Sequence, residues 1–375
     1  MTDLLDLLID LVRRPSITPA DAGCQPLLAE RLERSGFEAS HLRFGNVDNL
    51  WLRRGQTEPL FLFLGHTDVV PTGPFERWAS DPFQPEVRDG RLYGRGTADM
   101  KASLAAMVVA IERFVAEHPQ HRGSIALLVT SDEEGYAQHG VRRVMPWLAE
   151  QGVAVQWCLV GEPSSADRLG DVVRVGRRGS LHGVLTVRGV QGHVARPESV
   201  VNPIHRVAPA LAELAATEWD AGDELFPPTS FQVSNLNSGT GASNVVPGSL
   251  RAVFNFRFCP ASPQASLRAR FEAVLDRHGL DWSVDWDLSG DPFVTRGGPL
   301  VEAVVDSVFE VAGAAPLCNT GGGTSDGRFV APTGADVVEL GPINATIHKI
   351  DEHVAVADLE PLAAMYQGVL TRLLG

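Results

Sequence analysis

Leu60-Phe61-Leu62-Phe63-Leu64-Gly65-His66-Thr67-Asp68 runs from unbroken apolar sequence straight into an imidazole and a carboxylate. A run of large apolar residues with no polar alternation reads as a strand buried on both faces, as in a parallel sheet covered by helices. The same transition recurs downstream. Residues 124–130 lead to Glu133-Glu134, and Leu159-Val160 lead to Gly161-Glu162. Helical patterns occupy 101–116 and 141–151, and a further strand is expected at 155–160. This alternation predicts an α/β domain with right-handed crossovers and a mainly parallel sheet flanked by helices. Open sheets of this kind place their sites just beyond the carboxyl ends of the strands, where these polar residues fall.

From Ser180 the texture changes. A strand at 181–187, a helix at 203–216, strands at 229–236 and 250–258, a helix at 266–277 and a strand at 282–288 follow the β-α-β-β-α-β order of a ferredoxin-like α+β unit. The α/β texture returns after Asp291-Pro292, with a helix at 300–311, a glycine-rich turn at 321–327 and a strand at 337–340. The expected organisation is a catalytic domain of residues 1–179 and 291–375 interrupted by an inserted domain, 180–290. A chain of 375 residues exceeds the size at which a single core stops growing, so two domains also suit its length.

Composition narrows the partners. The formal charge of -14 opposes phosphate attraction, and no basic stripe interleaves with aromatics, so neither nucleic acid nor an anionic membrane is expected. Residues 1–12 read as an amphipathic helix carrying Asp3, Asp6 and Asp10. Arg13-Arg14 follow the apolar stretch instead of preceding it, the wrong order for an export signal, and residence in the cytoplasm is expected. Cys24, Cys158, Cys259 and Cys318 show no paired spacing and are read as small buried hydrophobes.

The polar residues at the strand ends, with Asp99 and His348, make an inventory of metal ligands. In an extended segment His66 and Asp68 face the same way, so the Asp68 carboxylate is expected to hydrogen-bond the metal-binding imidazole. Asp99 stands at a helix entrance, where an N-cap is the ordinary role. Its two oxygens also suit it to bridge cations about 3.5–4 Å apart. Adjacent side chains outside a helix diverge, so Glu134 is assigned as a ligand and Glu133 as the general base facing water. Glu162 adds a carboxylate and His348 the second imidazole. Each metal thereby receives one histidine, one private glutamate and a share of Asp99. Oxygen and imidazole donors without thiolate suit two zinc ions, with cobalt or manganese also fitting. The expected chemistry is hydrolysis by an acidified water whose proton Glu133 takes.

Longer runs carry a resemblance. They include Arg14-Pro-Ser-Ile-Thr-Pro, Gly65-His-Thr-Asp-Val-Val-Pro, Gly94-Arg-Gly-Thr-Ala-Asp-Met-Lys, Ser131-Asp-Glu-Glu-Gly, Gly161-Glu-Pro-Ser, Gly176-Arg-Arg-Gly-Ser, Gly192-His-Val-Ala, Gly321-Gly-Gly-Thr-Ser-Asp-Gly-Arg-Phe and Gly341-Pro-Ile-Asn-Ala-Thr-Ile-His-Lys. Across nearly its whole length the chain resembles the desuccinylases of the dinuclear zinc deacylase and exopeptidase superfamily. That resemblance implies a zinc-exopeptidase-like catalytic domain and hydrolysis of N-succinyl-L,L-2,6-diaminopimelate, a step toward lysine and the cell-wall diamino acid. It also implies a homodimer joined through the inserted domain, which acts as a lid. A substrate with three carboxylates needs local cations, and Arg177, Arg178 and Arg257 are suited to grip them. Ser180, Asn244, Asn344 and the backbone at Gly323-Thr324 would add neutral hydrogen bonds. His193 is implied to help stabilise the oxyanion from the partner subunit. The chain departs from the family pattern at Ala102, Arg196 and Glu198, where Gly, Tyr and His are usual.

Two other readings compete. A related N-acyl-amino-acid deacylase such as an acetylornithine deacetylase, or a dinuclear zinc aminopeptidase, would use the same ligands. A non-catalytic metal-binding module would have no use for Glu133 beside Glu134.

Overall fold

The computed structural model describes residues 3–375; Met1 and Thr2 of the expected first helix lie outside the described residues, and that helix spans Asp3–Val12. The chain divides into two compact units. The first holds residues up to Gly176 with Val294–Asn319 and Ser325–Gly375, and the second holds Arg177–Phe293 with Thr320–Thr324.

In the first unit eight strands form one sheet. Their order is Glu38–Phe44, Val47–Arg54, Ser124–Thr130, Leu60–His66, Trp157–Val160, Asp336–Glu339, Val172–Arg174 and Leu317–Asn319. Leu60–His66 pairs in parallel with Ser124–Thr130 on one side and Trp157–Val160 on the other, and Asp336–Glu339 continues the parallel block. Leu60–His66 and Ser124–Thr130 are buried at every residue, as their unbroken apolar runs require. Because the parallel strands point the same way, their carboxyl ends align and bring residues just past them into one neighbourhood. Ala102–Glu117 packs against Asp3–Val12 and against Leu359–Leu374, and Leu359–Leu374 also meets Pro299–Ala312.

The second unit has a four-stranded antiparallel sheet ordered Ser230–Ser238, Ser249–Phe258, Gly179–Arg188, Asp281–Gly290. With helices Pro203–Ala216 and Gln264–Arg277 this is the ferredoxin-like arrangement. Leu181, Leu185 and Val187 alternate along their strand into a core with Phe254, Phe256 and Phe271. The ring of Phe254 fills the place a Cβ on Gly183 would take, so the strand needs glycine there. Thr320–Thr324 groups with this unit although it lies far from it in sequence. Thr320 Oγ1 donates to the Leu225 carbonyl (2.7 Å) and Arg177 Nη1 to the Gly321 carbonyl (2.9 Å).

Candidate metal centre

His66 ends its buried strand with its side chain 1% exposed. Its Nδ1 lies 2.9 Å from the main-chain carbonyl of Asp68, which assigns the proton to Nδ1 and leaves Nε2 facing inward. There Nε2 meets Asp99 Oδ1 at 3.3 Å and Glu162 Oε1 at 3.7 Å. On the other side, His348 Nε2 lies 3.4 Å from Asp99 Oδ2 and 3.0 Å from Glu134 Oε1. Asp99 thus turns one oxygen toward each imidazole.

The loops explain this placement. Asp99 lies in the turn Thr97–Lys101 with non-helical φ -123 and ψ 94, and the helix that follows opens at Ala102 without a side-chain cap. Asp99 is therefore not an N-cap. Glu162 follows the Trp157–Val160 strand, and a Cβ on Gly341 would collide with the carbonyl oxygens of Gly161 and Glu162, so that close crossing needs glycine.

The hydrogen bond expected between the Asp68 carboxylate and the imidazole is not made. Oδ1 stands 3.6 Å from Nδ1, beyond bonding distance. The carboxylate instead accepts the backbone N–H groups of Glu133 (3.2 Å) and Glu134 (3.0 Å). Asp68 orients His66 through its main chain and the glutamate pair through its side chain. The alternation of an extended strand suggested the former contact, but the chain leaves the strand at His66 and turns its carbonyl to the ring.

Electrostatics decides what the cluster can hold. Burial pushes Glu133 and Glu162 well above the usual carboxylate range. Burial opposes the charged form of Asp99 too, yet hydrogen bonds from His348 and His66 hold it below that range. Hydrogen bonds to Asp99 and Glu134 raise His348 to about 10. For His66, burial is outweighed by the hydrogen bond to Asp99 and the charges of Asp68 and Glu162, and its pKa rises well above the usual value. Four carboxylates around two imidazoles form a buried anionic site that must take up either protons or cations. The donors are all nitrogen and oxygen, and two divalent cations would balance the carboxylate charge; the residues fit a metal pair. Close approaches among His66, Glu133 and Glu162, and among His66, Asp99 and Glu134, place donors of each trio within 4.8 Å of one another.

Asn344, in the first unit, donates its backbone N–H to the Ser165 carbonyl and leaves its side chain half-buried. The other expected substrate contacts belong to the second unit. Ser180 is buried and pairs in register with Arg257 on the neighbouring strand. Arg177 is buried against Gly321, whereas half-buried Arg178 has an Nε with no partner among the described residues. Gly323 is exposed and Thr324 half-buried. His193 and Asn244 sit side by side, because Val194 N–H donates to the Asn244 carbonyl at 3.1 Å. The Ala195 N–H donates to His193 Nδ1 at 3.1 Å, which leaves the proton on the exposed Nε2.

Several buried charges escaped the sequence reading, among them Asp326, Arg95 and Glu352. Asp326 is raised to about 6 by burial, offset by the Arg328 charge, and it lies close enough to Glu133 for their charges to interact. Arg95 and Glu352 form a buried ion pair at 2.7 Å. No spacing in the sequence links Arg95 to Glu352.

An α/β sheet that gathers two imidazoles and four carboxylates near the carboxyl ends of its strands is the scaffold of a metallohydrolase, with candidate ligands for two cations. The chain belongs to peptidase family M20/M25/M40, whose model matches residues 62–372. It is 61% identical over 374 residues to the succinyl-diaminopimelate desuccinylase of Thioalkalivibrio sulfidiphilus, covering 100% of both chains. It is 60% identical to that of Methylococcus capsulatus, covering 100% of this chain and 99% of the relative. Its fold matches the M20 family metallo-carboxypeptidase Sso-CP2 of Sulfolobus solfataricus with a TM-score of 0.83, at 18% identity and 99% coverage of each chain.

Proposed function

We propose that this chain hydrolyses N-succinyl-L,L-2,6-diaminopimelate to succinate and L,L-diaminopimelate. It is a metallohydrolase acting on a linear amide. Identity of 61% along the whole chain supports the substrate, and the sharing of Asp99 between His66 and His348 supports the reaction type. His66, Asp99 and Glu162 would hold one cation and His348, Asp99 and Glu134 the other, with two zinc ions the preferred pair. Such a pair supplies Lewis acidity, making water nucleophilic at neutral pH and drawing charge from the amide carbonyl.

The side chains divide the remaining work. Glu133 removes the proton of the attacking water and returns it to the leaving amine as the C–N bond breaks. Asp68 holds the Glu133 and Glu134 backbone in place. His193, with its proton on Nε2, would donate from the partner subunit to the developing oxyanion. Arg177, Arg178 and Arg257 supply cations for the substrate carboxylates, and Ser180, Asn244, Asn344, Gly323 and Thr324 supply neutral contacts.

The proposal includes a homodimer joined through the second unit. The edge strand Ser230–Ser238 carries Val233 and Leu236 at 37% and 53% exposure, a surface suited to pairing with a second copy. It also places the reaction in the cytoplasm. The four cysteines are free, which suits a reducing compartment, and no helix among the described residues is long and apolar enough to cross a membrane. The deciding experiment compares turnover of the L,L-succinyl substrate and N-acetylornithine by zinc-loaded protein. Preference for the succinyl substrate is expected; faster acetylornithine cleavage would replace the substrate assignment.

A further inference from the structure

The turn that carries Asp99 and the loop that carries His348 meet at a buried carboxylate unused by the steps above. Glu352 is 1% exposed. Its Oε1 accepts the backbone N–H groups of Ala98 (2.9 Å) and Asp99 (3.1 Å), and its Oε2 accepts the N–H of Gly96 (3.0 Å) and Arg95 Nη1 (2.7 Å). Its main-chain carbonyl accepts the N–H of Gly94 at 2.9 Å. Gly96 sits at φ +80, and a Cβ there would strike Val69, so only glycine lets this turn wrap the carboxylate.

Arg95, itself 2% exposed, extends the network. Its Nη1 also donates to the Lys349 carbonyl at 3.1 Å, and its Nη2 reaches the carbonyls of Pro71 (3.4 Å) and Thr72 (3.5 Å). One ion pair therefore ties together the segments that follow His66, precede Asp99 and follow His348. His348 needs such support more than the other ligands do. Its side chain is 49% exposed and its backbone is left-handed at φ +60, as is that of Asp351 at φ +58. Neither packing nor backbone preference holds it.

We infer that Glu352, together with Arg95, is a positioning residue of the metal centre that locks the Asp99 backbone to the His348 loop and so sets the second cation site. This rests on the ligand assignment proposed above. His66 and Glu162 sit at or just past the ends of core strands, and Glu352 reaches them only through Arg95 and Asp99. The brace thus supports the His348 and Glu134 side more than the His66 and Glu162 side. Charge-assisted hydrogen bonds to several backbone donors are the strong kind, and supporting residues of metal ligands commonly change affinity about 10–100-fold.

The test is stepwise cobalt(II) uptake by full-length protein stripped with chelator, followed by visible absorption and calorimetry, for wild type, Glu352→Gln and His348→Ala. Glutamine keeps the size but turns an N–H toward backbone donors. The expected result is that Glu352→Gln weakens, by about tenfold or more, the same binding step that His348→Ala weakens, leaving the other within about threefold. Its kcat should fall about tenfold with KM within about twofold. Weakening by His348→Ala with both steps unchanged in Glu352→Gln would overturn the brace alone, as would equal weakening of both steps in Glu352→Gln. Wild-type binding in both variants would overturn the ligand assignment as well. Should Glu352→Gln fail to fold, amide exchange on stripped wild-type protein decides: protected N–H groups at Gly96, Ala98 and Asp99 are expected, and rapid exchange there would overturn the inference.

Discussion

The carboxylate of Asp68 accepts the backbone N–H of Glu134 at 3.0 Å. One residue therefore orients the His66 ring through its main-chain carbonyl and the Glu133-Glu134 segment through its side chain. In Asp68→Asn the carbonyl remains, but an amide N–H can face the backbone donors. The variant should keep the His66 contact and lose about 10–100-fold in kcat. Steady-state kinetics with metal analysis checks this, and an unchanged kcat would remove Asp68 from the machinery.

His348 ties metal binding to pH. In metal-free protein its pKa stands at about 10, above the ordinary value of about 6.5. Its pairing with Asp99 and Glu134 thus stabilises the stripped fold fully below about pH 6.5. That contribution is lost as pH rises through about 10. Metal must displace the proton, so zinc uptake at neutral pH should release it and weaken as pH falls. Calorimetry in buffers of different ionisation enthalpy measures the release; uptake without any proton release would contradict the pairing.

Arg178 offers a half-buried guanidinium with an unpartnered Nε. Arg178→Lys replaces a planar fork by a point charge and should raise KM for the succinyl substrate about tenfold, with kcat changed less than about threefold. A KM equal to wild type would show that Arg178 does not touch the substrate.

Leu236 is 53% exposed on an edge strand. If the proposed dimer pairs through this edge, Leu236→Lys should shift it toward monomer in light scattering, because a charge on the edge opposes pairing. Retention of the dimer at micromolar concentration would move the interface elsewhere.

The strands that carry the site were legible because full burial leaves an unbroken apolar run, as in residues 60–64 and 125–129. The candidate ligands stood out because each run leads into a carboxylate or imidazole. The Glu38–Phe44 and Val47–Arg54 hairpin was not assigned, since the residues of Glu38–Phe44 stay half-buried or exposed and carry no clear period. The Arg95–Glu352 pair is formed by residues 257 apart, and no local pattern encodes such a contact. The His66–Asp68 geometry depends on where the chain leaves its strand, which side-chain alternation does not reveal.

The central claim is that Glu133 moves the proton while its neighbours hold two cations. Metal content and turnover of N-succinyl-L,L-diaminopimelate by Glu133→Gln test it most directly. Two bound equivalents with a rate lowered about 10²–10⁴-fold are predicted; turnover equal to wild type would contradict the account.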